Sequence, residues 1–258
     1  MAVSWVVAPI LVGVFALLAN VILGRQVLKR GVIFIDLAMA QVAALGVLLV
    51  ELNTVHSEVG VGIKLLASWC LTLPAAVLLR WLESRVSQYL EALIGVLYVL
   101  AACTAVILVS HNPHGKEMIS ALLNGRLLWS VPSDILPVFL VAAVLACIQY
   151  WRPCWLSNRS FYLLFALAIP PLVMSLGVYL EFACLIIPAL AVAMCGHRFM
   201  WLSAVSIGVV GGVGGFYASL LFDYPVGPCV VLSMALVGLI YKLVSQKVQQ
   251  PVLTLTDD

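Results

Sequence analysis

The sequence predicts an all-α integral membrane protein, a polytopic helical bundle of about nine transmembrane helices. Three observations predict it. The 258 residues are 64% hydrophobic and 9% charged, with a mean hydropathy of +1.17, far more apolar than a water-facing fold carries. Apolar runs recur at about 5–24, 31–50, 61–79, 91–110, 135–150, 161–195, 199–221 and 228–244, most of them close to the ~20 residues that a ~30 Å hydrocarbon core asks of one helix. The connections are too short to hold a separate nucleotide-binding or catalytic domain. Residues 1–245 therefore read as one transmembrane domain and 246–258 as a polar, poorly ordered cytoplasmic tail.

The first run, Trp5 to Gly24, has no basic residue before it and no small-residue cleavage site after it, so it reads as a retained helix and not a removable signal. The run from Phe161 to Cys195 is too long for one crossing and slightly short for two, and it contains Pro170, Pro171, Gly177 and Pro188. Charge arbitrates. With two crossings and an outside N-terminus, ten basic residues (Arg25, Lys29, Arg30, Arg80, Arg85, Arg152, Arg159, Arg198, Lys242 and Lys247) lie inside, and three (Lys64, Lys116 and Arg126) lie outside. A single crossing changes the split to 7 against 6, which the positive-inside rule disfavours. The expectation is nine spans with the C-terminus inside; eight is the alternative. On this topology the loop 110–133 is external, with an amphipathic middle suited to the interface.

Ionisable residues within a bilayer cost about 2.5–3.5 kcal/mol each on insertion scales and usually face a cavity or a partner. The deep candidates are Asp36 and Glu181, with Glu91 and Asp223 nearer helix ends. Asp36 shares a helical stripe with Ala40 and Ala43, and small residues there admit a neighbouring backbone. It reads as a pathway carboxylate or as a structural acid paired with Arg25, Lys29 or Arg30. Glu181 lies between Gly177, suited to end one helix, and Pro188, suited to bend the next; broken helices at membrane depth usually line cavities. Gln41 sits five residues after Asp36, about 140° away on a regular helix. A π-bulge would return the two to one face.

Other features are weaker. His111 and His114, beside Glu117, offer a surface site for a divalent cation or a solvated turn; His56, Glu58, His197 and Arg198 read as loop residues. The seven cysteines (70, 103, 147, 154, 184, 195, 229) are single and without C-x-x-C spacing, so they read as packing residues. The glycines of GVVGGVGGFYASL, 208–220, lie inside a span with no strand before them, which argues for close helix packing and against a phosphate loop. A net charge of +2 without a soluble domain leaves no place for a nucleic-acid partner.

Several segments fall in a recognisable order. DYPVGPCVVLSMAL (223–236), LGVYLEFACLIIPALAVA (176–193), LEALIGVLY (90–98) and ALLNGRLLWSVPSDI (121–135) together resemble the membrane subunits of bacterial ABC importers for zinc and manganese, relatives of the vitamin B12 and iron-siderophore permeases. The resemblance implies a homodimeric permease in the bacterial inner membrane, driven by two cytoplasmic ATPase subunits that use the ATP and fed by an extracytoplasmic metal-binding protein. It implies no catalysis and no cofactor on this chain. Translocation would involve Asp36, Gln41, Glu91 and Glu181, with Asp36 as a metal ligand.

This chain departs from the family pattern in three places. Where the family has a histidine four residues after the second-segment aspartate, this chain has Ala40, and Gly46 stands ten residues on instead of nine. The ATPase-contact loop is abbreviated to WRPCWLSNRS (151–160), leaving Arg152, Trp155 and Arg159 as contacts or as interfacial anchors. Arg126 replaces a common acid. Zinc is the expected substrate, with manganese or iron as alternatives. A gradient-driven transporter acting alone, and a membrane assembly subunit without transport, are the competing readings.

Overall fold

Proline placement explains much of the architecture. The computed structural model describes residues 4–53, 60–193 and 200–249, and in them the chain is helical with no strand. The helices are α1 (Ser4–Arg30), α2 (Ile35–Asn53), α3 (Val61–Arg85), α4 (Leu90–Val109), α5 (Gly115–Asn124), α6 (Pro132–Trp151), α7 (Pro153–Ser157), α8 (Phe161–Leu176), α9 (Val178–Ala193), α10 (Met200–Phe222) and α11 (Val226–Gln249). Seven of them, α1–α4, α6, α10 and α11, are long and apolar enough to cross a bilayer, while α8 and α9 form a pair bent by 116°. Counted as one broken span the pair makes eight. α11 continues to Gln249, four residues into the predicted tail, and 250–258 lie outside the described residues.

Contacts settle which way the pair runs. α8 starts beside the last residue of α1, where the Arg30 guanidinium lies 4.8 Å from the Phe161 ring. α9 then tracks α1 in parallel: Glu181 meets Asn20, and Leu185 and Ala189 meet Gly24. α9 therefore heads back toward the Arg30 end. α10 begins there too, with Arg25 4.9 Å from the Trp201 ring.

Pro170 and Pro171 sit within α8 and lack backbone N–H groups, so the carbonyls four residues earlier, of Ala166 and Leu167, lose their helical partners. α3 supplies replacements. Thr72 Oγ1 donates to Ala166 O at 3.2 Å, and Trp69 Nε1 donates to Leu167 O at 3.1 Å. In a bilayer no water is present to do this, which is why a Pro-Pro helix needs such a neighbour.

Small residues bring the other helices together. A Cβ at Gly46 would strike the α3 backbone at Ser68, whose hydroxyl donates to Ala43 O at 2.9 Å. Gly211 and Gly215 of α10 rest on Met234 and Val230 of α11, so the glycine run packs helices, as its position in a span predicts. The core follows from this. In α1 and α2 61% and 67% of the spanning residues are buried, against at most 28% in α3, α4, α6, α10 and α11. Most of α8 and α9 is buried as well. The inner helices are thus α1, α2, α8 and α9, and the site lies among them.

Candidate functional site

Gly177 ends α8 at φ +79°, a left-handed conformation that a side chain disfavours. α9 restarts immediately, and Glu181 N donates to Gly177 O at 3.0 Å. Glu181 is thereby placed in the first turn of a new helix, within the bundle, at 0% exposure. Across from it Asn20 of α1, also 0% exposed, donates Nδ2–H to Glu181 Oε2 at 2.9 Å. Asp36, in the first turn of α2, is again 0% exposed. Its carboxyl is near enough to interact electrostatically with Glu181, and Cys184, three residues after Glu181, lies within reach of both.

Four oxygens of this cluster, both of Asp36, Oε1 of Glu181 and Oδ1 of Asn20, are buried without a hydrogen-bond partner. The structural-acid reading of Asp36 fails on this geometry. Arg30 is paired with Glu83 at 3.2 Å, Arg25 lies over Trp201, and neither Asp36 oxygen has a partner. Two buried carboxyls without a cation are expensive to keep at membrane depth. Among the described residues no group of three or more His, Cys, Asp or Glu side chains is arranged to hold a metal ion.

The other sequence-predicted residues make contacts of their own. α2 is regular α-helix from Ile35 to Asn53 with no π turn, so Gln41, though buried, points about 140° away from Asp36. Glu91 accepts a hydrogen bond from Phe34 N at 3.0 Å and so anchors the start of α2. His114 Nδ1 lies 3.1 Å from Glu117 Oε2 with both side chains more than 75% exposed, a solvated pair. His56, Glu58, Cys195, His197 and Arg198 lie outside the described residues.

At the Arg30 end, the abbreviated loop folds as α7, seated by Leu156, which is fully buried. Arg152, Trp155 and Arg159 are exposed on it. Arg30, which the sequence offers only as an inside charge or a partner for Asp36, holds the loop from beneath by donating to Ser157 O at 2.7 Å and Asn158 O at 2.5 Å. Glu83 pairs with Arg30 and lies 4.0 Å from Arg159. At the opposite end a cavity of about 360 Å³ is lined by Lys64, Arg126, Asp134 and Ser175. Lys64 is paired with Glu51 at 2.6 Å.

Asn20 carried one available signal: it is the lone amide deep within the first apolar run. Its partner is 161 positions away, which no local pattern discloses.

A multi-pass helical membrane protein with carboxyls buried among its inner helices has the form of a membrane-embedded transport subunit. The chain belongs to the ABC 3 transport family, which residues 2–245 match, and is therefore the non-catalytic membrane component of an ATP-binding cassette system. It shares its fold with a chain of the solved structure "PsaBC from Streptococcus pneumoniae in complex with Fab", at a TM-score of 0.74 and 18% identity over 96% of each chain.

Proposed function

We propose that the chain is the permease subunit of an importer for a divalent transition metal, with Asp36 and Glu181 as its transit ligands and Asn20 as the group that orients Glu181. The observation that carries this is the set of four unpartnered buried oxygens between α1, α2 and α9. A divalent cation in transit would neutralise the carboxyls and use those oxygens as ligands. Zinc is the first candidate; the oxygen donors suit manganese or iron as well.

A separate cytoplasmic ATPase would dock on α7 through Arg152, Trp155 and Arg159, and an extracytoplasmic metal-binding protein would deliver the ion at the opposite end. ATP binding and hydrolysis on the partner would bias a homodimer between outward-facing and inward-facing states. The membrane is the bacterial inner membrane, with the N-terminus outside. Support for that orientation is the gathering of Arg25, Arg30, Arg85, Arg152 and Arg159 at the end where α1 finishes, as the positive-inside rule asks of a cytoplasmic face.

The test is uptake of radioactive Zn²⁺ and Mn²⁺ into proteoliposomes containing the permease with its co-purified ATPase. ATP-dependent uptake that Asp36→Asn and Glu181→Gln abolish is the expected outcome. The five-residue length of α7 favours one alternative, a transporter driven by an ion gradient, and equal uptake by the permease without ATPase or ATP would establish it instead.

A further inference from the structure

α1 makes three contacts in succession that join the α7 loop to the buried carboxyls. At its last residue, Arg30 Nη2 donates to Ser157 O and Asn158 O, Nη1 pairs with Glu83, and the guanidinium packs on Phe161 and Tyr162. Six residues earlier Gly24 lies against the α9 backbone, where an added Cβ would collide with the Leu185 carbonyl. Four residues earlier again, Asn20 donates to Glu181. The contacts of Asn20 with Glu181 and of Gly24 with Leu185 share one register, so α1 and α9 are parallel and locked over a full turn.

The alternative route is covalent, from the loop along α8 to Glu181, and it is mechanically poor. α8 contains Pro170 and Pro171, two of its carbonyls are held by α3, and it ends in the 116° bend before Glu181. α1 between Asn20 and Arg30 is uninterrupted helix, its one proline being Pro9. Ten residues at 1.5 Å each separate the two contacts by about 15 Å. A rigid helix carries a displacement along its axis with little loss. A shift of α1 along its axis relative to α9 moves the Asn20 amide off the Glu181 carboxylate that it meets at 2.9 Å.

We propose that α1 is the element through which the position of the α7 loop is felt at Glu181, and that Arg30 is the positioning residue that fixes it to that loop. The inference rests on the reading that an ATPase docks on α7. Arginine suits the task because its planar fork spans two carbonyls and a carboxylate together; a lysine ammonium holds fewer of them at once.

The experiment measures Zn²⁺ and Mn²⁺ affinity of the permease–ATPase complex in lipid nanodiscs, with and without ATP, using an ATPase variant that binds ATP without hydrolysing it. The wild-type complex is expected to change metal affinity on ATP binding, by the 5-fold or more (about 5–150-fold) usual for coupled sites. Arg30→Ala should remove most of that change while the affinity without ATP and the amount of bound ATPase stay as in wild type. Arg85→Ala, which removes a charge at the same end without touching the loop, should keep it. A full ATP-dependent change in Arg30→Ala overturns the role of α1. If Arg30→Ala does not assemble, Arg30→Lys decides: a reduced change supports the proposal and an unaltered one overturns it. A wild-type complex whose affinity ignores ATP, or a permease that retains no ATPase, overturns the importer reading itself and the inference with it.

Discussion

Asn20 and Glu181, 161 residues apart in the chain, meet through a 2.9 Å hydrogen bond between two parallel helices, both side chains fully buried. The amide is the one hydrogen-bond partner of the Glu181 carboxyl among the described side chains. Asn20→Leu removes it and leaves a buried carboxyl unsatisfied, which costs about 1–3 kcal/mol. Lowered thermal stability of the detergent-solubilised protein, together with reduced metal uptake, is the expected result. Unchanged melting would show that Asn20 does not hold Glu181.

Asp36→Asn and Glu181→Gln should separate function from stability. Each swaps a buried carboxyl for a neutral group of the same shape, so the cost of burying an unpaired charge falls away and the folded state is kept or strengthened. Metal uptake should nevertheless fall more than about 10-fold, since each amide loses a ligand charge. Loss of stability without loss of uptake would mark the carboxyls as structural.

Gly24→Val tests the α1–α9 seat. Its Cβ would meet the Leu185 carbonyl and the Ala189 methyl, and overpacking of this kind costs about 1–3 kcal/mol. Gly13→Val, in the same helix with open space around it, is the control that should melt as wild type does.

Thr72→Val removes the hydroxyl that satisfies Ala166 O while preserving shape. A penalty of about 1–3 kcal/mol is expected for the orphaned carbonyl. Placing Thr72→Val in a background with Pro170→Ala should recover much of it, because the restored N–H of residue 170 can reach Ala166 O within the helix. Thermal unfolding of the single and double variants measures the recovery.

The helical membrane character, the burial of Asp36 and Glu181, and the break at Gly177 were legible because each has a local signature: apolar runs, a charge inside one, a glycine between prolines. The packing role of Gly211 and Gly215 was legible for the same reason. What local pattern does not carry is partnership. Arg30 reads as one cytoplasmic charge among several until Ser157, Asn158 and Glu83 converge on it. Glu91 reads from the sequence as an acid near a helix end, and the fold alone discloses that it accepts from Phe34 N. The extra residue between Asp36 and Gly46 suggested a bulge that would gather Gln41; the helix instead stays regular and Gln41 turns away.

Gly125 and Gly177 both adopt positive φ, and their backbones lie so close that neither has room for a Cβ. Arg126 N donates to Ser175 O beside them at 3.3 Å, and Gly227, at the start of α11, lies against Asn124. The carbonyl of Gly177 in turn accepts the N–H of Glu181. Counted in links, the carboxyl is one helical turn from the segment after α5 and nearly three turns of α1 from the α7 loop. The two ends of the bundle thus address the same residue over unequal distances, and an event at the end away from Arg30 has the shorter path to it.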